Sequence, residues 1–210
     1  MSPTKPSAQP RRRMPRAERE AQILVVAEQV FAERGYQATT MEDVAERVGV
    51  TKPLIYEYFG SKEGLLSACI VSARGQLRDA TERSWAAVGD DAELIDIFRA
   101  GVRAFFDFID QHRNAFLLIQ QEGVMAAQTS PLIESIREQQ SAATAATLGA
   151  APGLSSVPPE VLEGYAEVIV GACERIAVWR GRRPDITAAD ATEIVVATVW
   201  SGLASQLTTS

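Results

Sequence analysis

Apolar positions recur along this chain with the three- to four-residue spacing of helices that turn one face to a core. Ile23, Ala27, Val30 and Phe31 share one face of a first helix, and Gly35 follows as the expected left-handed stop. The same periodicity predicts later helices near 61–88, 91–110, 112–120, 131–148, 158–180 and 187–207. No alternating run of strand length competes with this pattern. The chain is therefore predicted to be all-α, with about nine helices.

Two very short helix patterns follow the first helix. Thr40 opens one with the capping spacing T-x-x-D, which ends at Asp43, and Gly49 closes it after two turns. Thr51 is predicted to cap the next helix, with Pro53 in its first turn. Two helices joined by so short a turn cross steeply, as in a helix-turn-helix. The alternative, a helical hairpin that only fills the core, stays open on spacing alone.

Charge is distributed unevenly along the 210 residues, whose formal net charge is -6. Residues 1–63 hold 10 Lys and Arg against 9 Asp and Glu, whereas residues 64–210 hold 11 against 18. The segment 1–16 has five cations, no acid and several prolines, so it is predicted to be a disordered basic arm. A polyanion partner for the N-terminal end is the natural interpretation.

Composition argues against several other classes of protein. Cys69, Cys173 and the one histidine, His112, are too few and too scattered for a zinc cluster or an evident catalytic triad, so we expect no cofactor and no enzyme. No apolar run approaches the roughly 20 residues that a membrane span needs. A cytoplasmic, nucleoid-associated protein is expected.

The third predicted helix carries chemistry suited to nucleic acid. Its sequence at 54–59 is LIYEYF, and helical spacing places four residues on the face opposite Ile55: Lys52, Pro53, Tyr56 and Glu57. A lysine contacts phosphate or the O6/N7 edge of guanine, and a tyrosine hydroxyl donates to phosphate. The two short helices are thus interpreted as a means of presenting the second one to a DNA major groove.

The stretch TTMEDVAERVGVTKPLIYEYFGSKEGLL at 39–66 resembles the helix-turn-helix of the tetracycline-repressor (TetR) family of transcription regulators. The matching elements are T-x-x-D-V-A, G-V-T-K, L-I-Y-E-Y-F and S-K-E-G-L-L. The resemblance covers residues 17–68, and the rest of the chain matches only in length and architecture. It implies a helix-turn-helix DNA-binding domain at 17–63 and a helical ligand-binding and dimerisation domain at 64–210.

The resemblance also implies roles for individual residues in contacting DNA. Contacts to phosphate are implied for Thr40 and Thr51, contacts to base edges for Lys52, Pro53 and Leu54, and contacts to the phosphate backbone for Tyr56, Tyr58 and Lys62. Glu57 departs from the His or aromatic residue that is frequent at its position. It either accepts a hydrogen bond from a cytosine N4 amine or points away from the DNA. The Arg-rich arm either reaches DNA or remains a solvated tail.

The acidic C-terminal part is expected to serve two tasks. Apolar stripes on the helices near 158–180 and 187–207 predict a homodimer that binds a palindromic operator. The resemblance implies an effector site for an apolar or aromatic molecule that releases the DNA, with repression as the expected output. The candidate lining residues are Trp85, Phe105, Phe108, Gln120, Gln121, Met125 and Tyr165. The alternatives are a regulator without an effector and, with less support, a helical enzyme.

Overall fold

The computed structural model describes residues 14–89, 92–124, 131–151 and 154–207, without the side chains of 119–124, 131–137 and 203–207. Nine helices and no strand lie within these ranges, so the prediction of an all-α fold is confirmed. The helices are α1 (Arg16–Ala38), α2 (Met41–Val48), α3 (Lys52–Phe59), α4 (Lys62–Ala87), α5 (Leu94–Gln111), α6 (Arg113–Val124), α7 (Pro131–Ala150), α8 (Pro159–Arg180) and α9 (Ala188–Leu207).

Helix α2 is closed at both ends by hydrogen bonds that the sequence predicts. The Asp43 amide donates to Thr40 Oγ1 over 3.2 Å, and the Thr40 amide donates to Asp43 Oδ2 over 2.9 Å. At the other end Gly49 adopts φ 78°, and its amide donates to the carbonyls of Ala45 and Glu46. Because these bonds satisfy the exposed backbone groups, a helix of eight residues can persist.

Two predictions about helix ends need correction. Thr51 is the N-cap residue of α3, but its side chain makes no capping hydrogen bond. Gly35 has the expected positive φ of 75°, yet it kinks α1 instead of ending it, and the helix continues to Ala38. The last turn is held by Thr39, whose hydroxyl donates to the Gly35 carbonyl over 2.8 Å. Ser61, in contrast, caps α4 as predicted and accepts from the Gly64 amide over 3.0 Å.

The described residues form two apolar cores. The first gathers the inner faces of α1, α2 and α3 around Phe31, Val44 and Ile55, none of which is exposed to solvent. The start of α4, from Leu65 to Ile70, completes this core. We call α1–α3 with α4 up to Ile70 the head. The rest of α4 with α5–α9 is the body.

The body core is rich in phenylalanine. Phe105 packs edge-on against Phe106 and Phe116, with ring centroids 5.2 and 6.3 Å apart. His112 ends α5, and its ring stacks on Phe108 at a centroid distance of 4.5 Å. The sequence predicted a break between α5 and α6 at this position but not the stacking of the two rings. Five phenylalanines close together in the sequence thus belong to the body core, as their helical spacing indicates: Phe98, Phe105, Phe106, Phe108 and Phe116.

Two helices belong to both cores. Helix α4 leaves the head core at Ile70 and enters the body core at Ala73. Helix α6 contributes Ala115 and Phe116 to the body core but inserts Leu118, which is fully buried, into the head core. The domain boundary predicted between residues 63 and 64 falls at the start of α4. About two helical turns later, α4 stops packing against the head core and begins to pack against the body core.

Candidate functional site

Helix α3 projects a polar outer face from the head. Ile55 is fully buried in the head core, whereas Tyr56 is 42% exposed and Pro53 and Glu57 are exposed. Pro53 lies in the first turn, where its missing N–H removes no helical hydrogen bond. Leu54 and Tyr58 are half-buried at the edge of this face. The outer face predicted from helical spacing is therefore the face that the structure leaves to solvent.

Lys52, predicted to meet base edges, lies at the start of α3 in an ion pair with Glu42 of α2. Its ammonium nitrogen is also 5.8 Å from the centre of the Tyr56 ring. The hydrogen bond between the two side chains raises the pKa of Lys52 and lowers the pKa of Glu42. Both side chains are exposed, so the pair is weak and can exchange for another anion.

Thr40 is committed to the structure of α2. Its hydroxyl donates to Asp43 Oδ2 over 2.8 Å while it accepts from the Asp43 amide. The hydrogen bonds from Thr40, with a further one from Arg34 Nη1 at 2.6 Å, hold the pKa of Asp43 below its usual value. The Thr40 hydroxyl therefore already donates its hydrogen bond within the head and would have to break it to donate to a phosphate.

Lys62 ties the start of α4 to the turn between α1 and α2. Its ammonium donates to the carbonyls of Tyr36 and Thr39, each over 3.0 Å, and lies 4.3 Å from the centre of the Tyr36 ring. The Tyr36 hydroxyl in turn donates to Glu63. Two of the three ammonium donors of Lys62 are thus used inside the head, leaving one for the predicted phosphate contact. Sequence reasoning missed Tyr36, because nothing local links it to residues some 26 positions away.

The N-terminus of α1 lies beside α3. The Arg16 guanidinium carbon is 4.7 Å from the centre of the Tyr58 ring, within the range of a cation–π contact. The chain therefore leaves the described residues at Met14 next to the edge of the α3 outer face. Arg11, Arg12 and Arg13, on which the arm hypothesis depends, lie outside the described residues.

The body contains a narrow apolar cavity between α4, α5, α7 and α8, with a volume of about 60 Å³. Its walls are mostly aliphatic and aromatic, with a few hydroxyl and amide groups. They include Trp85, Leu94, Phe98, Phe105, Gln140, Thr144, Leu148, Ile169 and Cys173. Its apolar lining with a few polar groups suits a small organic molecule, but such a ligand would have to move the walls apart, because ligand pockets usually measure about 300–1,000 Å³.

The structure places only some of the candidate effector residues at this cavity. Trp85 and Phe105 line the cavity. Phe108 is buried but faces a separate polar cleft beside His112, and Tyr165 packs against the body core without lining the cavity. Phe108 and Tyr165 therefore stay predictions that this cavity does not support. Met125 and the side chains of Gln120 and Gln121 lie outside the described residues.

Sequence reasoning missed the α7 and α8 walls of the cavity and the role of Gly101. A Cβ atom at Gly101 would fall far inside van der Waals contact with the Trp85 indole nitrogen. Glycine thus lets the indole lie directly against α5 at the cavity wall. The sequence does contain a signal for this close contact, because a glycine inside a strongly amphipathic helix pattern often has a packing reason. The Gln140 side chain, which lines the cavity, accepts a hydrogen bond over 3.2 Å from the buried guanidinium of Arg74 on α4.

Part of the predicted dimer face is exposed. Val168 on α8 is 60% exposed and Ile194 on α9 is 38% exposed, and Gly164 and Gly171 continue the α8 row with open space around them. Ile169 and Cys173, which are also apolar residues of α8, face the interior cavity instead. The stripe on α8 therefore has two sides with different partners.

Other functional classes find little support in the described part of the chain. No group of three or more potential metal ligands occurs there, and none of the described helices is long and apolar enough to cross a membrane. Both cysteines are buried and free, and burial raises the pKa of the Cys173 thiol to about 12. At neutral pH that thiol is protonated and is a poor nucleophile.

Comparison with known proteins places both parts of the chain. The family model described as bacterial regulatory proteins, tetR family, matches residues 23–69, and the model described as tetracyclin repressor-like, C-terminal domain, matches residues 94–202. The transcriptional activator FasR of Mycolicibacterium smegmatis is 31% identical over 196 residues, which are 91% of this chain and 85% of FasR. The transcriptional repressor KstR2 of Rhodococcus jostii is 30% identical over 104 residues, half of each chain.

A solved structure has the same architecture along nearly the whole chain. The TetR-like transcriptional regulator from Rhodococcus sp. RHA1 superposes with a TM-score of 0.69 at 28% identity, covering 91% of this chain and 99% of that one. The two family models lie on either side of the passage of α4 from the head core to the body core. The chain therefore belongs to the TetR family of helix-turn-helix transcription regulators.

Proposed function

We propose that this protein acts as a homodimer on a palindromic operator, with one α3 in the major groove of each half-site, and that an apolar small molecule in the body controls its DNA affinity. The observation that carries the proposal is the outer face of α3, where Tyr56, Pro53 and Glu57 are exposed while Ile55 anchors the helix in the core. In helix-turn-helix proteins the recognition helix reads base edges and its flanks contact the backbone.

The contacts to DNA are proposed as follows. Lys52, Pro53 and Leu54 at the start of α3 meet base edges, and Lys52 exchanges Glu42 for guanine or phosphate. Tyr56 and Tyr58, on either side of the outer face, contact the backbone. Thr51 is exposed and its hydroxyl makes no capping bond, which supports a phosphate contact there. Thr40 supports α2, since its hydroxyl already donates a hydrogen bond to Asp43 Oδ2.

The basic arm is proposed to supply much of the attraction to phosphate. Residues 14–63 carry six Lys and Arg against nine Asp and Glu, a net charge of -3, whereas residues 1–13 carry four cations and no acid. The contact of Arg16 with Tyr58 holds the end of the arm beside α3. An acidic head gains little from the polyelectrolyte attraction of DNA on its own. With the four cations of the arm, the net charge of residues 1–63 becomes +1.

Salt dependence tests the arm. Deleting residues 2–13 removes four cations. The slope of log affinity against log salt concentration should then become shallower by about 3 to 4, since each phosphate contact contributes about 0.9. Replacing Arg11, Arg12 and Arg13 with lysine keeps the charge and should keep the slope. An unchanged slope after the deletion would show that the arm does not contact DNA.

Dimerisation through α8 and α9 is proposed from the exposed row of Val168, Gly164 and Gly171 beside Ile194. Small residues allow two helices to approach closely, and a two-fold axis would place the two heads side by side. Val168→Glu introduces two charges into that interface and should give monomers in light scattering. Glu163→Gln, on an exposed position of the same helix, serves as the control.

Effector control is proposed to run along α4. This helix has 26 residues and is about 39 Å long, at about 1.5 Å per residue. It begins after the Ser61 cap in the head and carries Trp85 at the cavity wall near its other end. Arg74, a buried residue of α4, donates a hydrogen bond to Gln140 at the cavity, and its guanidinium lies 3.8 Å from the Glu174 carboxylate. A molecule that moves Trp85 or Gln140 would shift α4 and respace the heads, at a coupling of typically 1–3 kcal/mol.

Selection from a random library of duplex DNA tests the proposal as a whole. The expected product is an inverted repeat whose half-site centres lie about one helical turn or a multiple apart, bound by two or more protomers. Recovery of no common sequence would refute it. A library of apolar and aromatic compounds, screened for release of the selected DNA, separates the effector-controlled protein from one whose body only dimerises. The sign of regulation follows from the position of the operator relative to the promoter, and FasR and KstR2 represent both signs.

A further inference from the structure

Glu57 occupies the outer face of α3, one helical turn after Pro53. Its side chain is exposed, as are those of Pro53 and Tyr56 beside it. The sequence left open whether this acid faces or avoids the DNA. Since Ile55 and the half-buried Phe59 define the inner side of α3, Glu57 lies on the side that a major groove would meet.

Four cations of the head have partners other than Glu57. Lys52 pairs with Glu42, and Lys62 donates to two backbone carbonyls. In α1 and α2, Arg34 pairs with Asp43 and Arg47 pairs with Glu33, each at 2.6 Å. Glu57 forms no hydrogen bond or ion pair with any residue that the structure describes. Unlike Glu42 and Asp43, it therefore does nothing to hold the folded head together.

The chemistry of a carboxylate limits what Glu57 can contact on DNA. A carboxylate only accepts hydrogen bonds, and phosphates repel it. In the major groove, the O6 and N7 of guanine and the O4 of thymine are acceptors, and adenine places its N7 acceptor beside its N6 donor. Cytosine presents the N4 amine without a neighbouring acceptor on its own ring. An exposed glutamate on a recognition helix thus favours cytosine and disfavours the other three bases.

We propose that Glu57 is a specificity-determining residue that accepts a hydrogen bond from the N4 amine of a cytosine in each operator half-site. The inference rests on the proposed function and deepens it, because it assigns one base of the operator to one residue. Glu57 selects partly by repulsion: it lowers the affinity for all DNA and restores it only where cytosine is present.

The test uses duplex DNA selected from a random library by the wild-type protein. Each half-site position is changed symmetrically to all four bases, and binding is measured for wild type, Glu57→Ala, Glu57→Gln and Glu46→Ala. Glu46 is an exposed acid on α2 with no side-chain bond to the rest of the described chain, so its removal changes the net charge of the head equally. It therefore controls for general electrostatics.

At one cytosine position, wild type should discriminate against the other bases by on the order of 10-fold per half-site, and Glu57→Ala should abolish this preference while strengthening binding to unrelated DNA. Glu57→Gln should move the preference towards adenine, which matches an amide. Glu46→Ala should strengthen all binding uniformly. A base profile that is the same in Glu57→Ala and Glu46→Ala would overturn the proposal. Failure of wild type to select any sequence would instead refute the proposed function.

Discussion

In the head, side chains close the turns between helices, whereas in the body the helices enclose unfilled space. Thr40 and Asp43 bond each other across the start of α2, and Lys62 binds the backbone of the preceding turn. The body instead holds an apolar cavity between four helices, where Trp85 lies against a glycine. The difference fits a head whose side-chain bonds keep α3 in one orientation and a body that, in the proposed function, changes its packing around a ligand.

The largest expected effect comes from truncating a buried ring in either region. Phe31→Ala in the head and Phe106→Ala in the body both remove a fully buried phenylalanine, at a cost of about 3–5 kcal/mol of unfolding free energy. All three tryptophans, Trp85, Trp179 and Trp200, belong to the body. Their fluorescence in a urea titration should therefore shift strongly in Phe106→Ala.

In Phe31→Ala the specific DNA binding should be lost at urea concentrations where the tryptophan signal is still native. The shared helices α4 and α6 limit the separation of the two transitions. If both variants lose DNA binding and tryptophan signal together, the head and body form one cooperative unit, and the contrast between them is only geometric.

Gly101→Ala is expected to have the next largest effect. The added methyl group displaces the Trp85 indole from α5, which should cost about 1–3 kcal/mol and change the cavity wall. The fluorescence maximum of Trp85, isolated by replacing Trp179 and Trp200 with phenylalanine, should move. Gly75→Ala, on a face of α4 with open space and outside the proposed dimer interface, is the matched control and should leave the emission unchanged.

A smaller effect is expected for Thr40→Ala, which removes the reciprocal cap of α2. The loss should be about 1 kcal/mol of unfolding free energy, accompanied by weaker DNA binding because α2 positions α3. Thr198→Ala removes a hydroxyl that only donates to the Ile194 carbonyl within α9, so it should cost less. Equal costs for the two variants, measured by thermal unfolding, would show that the cap adds nothing to the head.

The smallest effect concerns pH. Burial, with the hydrogen bond to Glu63, raises the pKa of Tyr36 to about 12. The folded pKa is above the unfolded value of about 10, so this contribution to stability is complete below pH 10 and is lost as the pH rises towards 12. Wild type should thus lose more stability than Tyr36→Phe between pH 9 and 11, measured in urea titrations. A parallel decline in both proteins would contradict the assignment.

The sequence predicts the head well because its signals are local. The cap between Thr40 and Asp43 spans three positions, and Gly49 marks its own turn, so both follow from short-range spacing. The contact of Lys62 with the turn after α1 joins residues 26 positions apart, and no periodicity reveals it. The predicted capping hydrogen bond of Thr51 is absent. Threonine is a residue type that favours such a bond, but the direction of its side chain decides whether the bond forms.

The body is predicted in outline but not in its details. Helical spacing identifies Phe105 and Phe108 equally as inner residues, yet only Phe105 faces the cavity. Which inner row meets the cavity depends on how α5 is rotated against α4 and α7, and that rotation is set by packing between distant segments. The same holds for α8, where adjacent residues Val168 and Ile169 face solvent and interior respectively.

The central claim is that α3 reads DNA, and it is tested most directly by fluorescence anisotropy with a labelled duplex carrying the selected operator. Lys52→Ala and Arg99→Ala each remove one exposed cation from an ion pair, the first on α3 and the second on α5 in the body. Lys52→Ala should weaken specific binding by on the order of 10-fold, whereas Arg99→Ala should change it little. Equal effects of the two substitutions would contradict the account, since the DNA would then sense only total charge and not the face of α3.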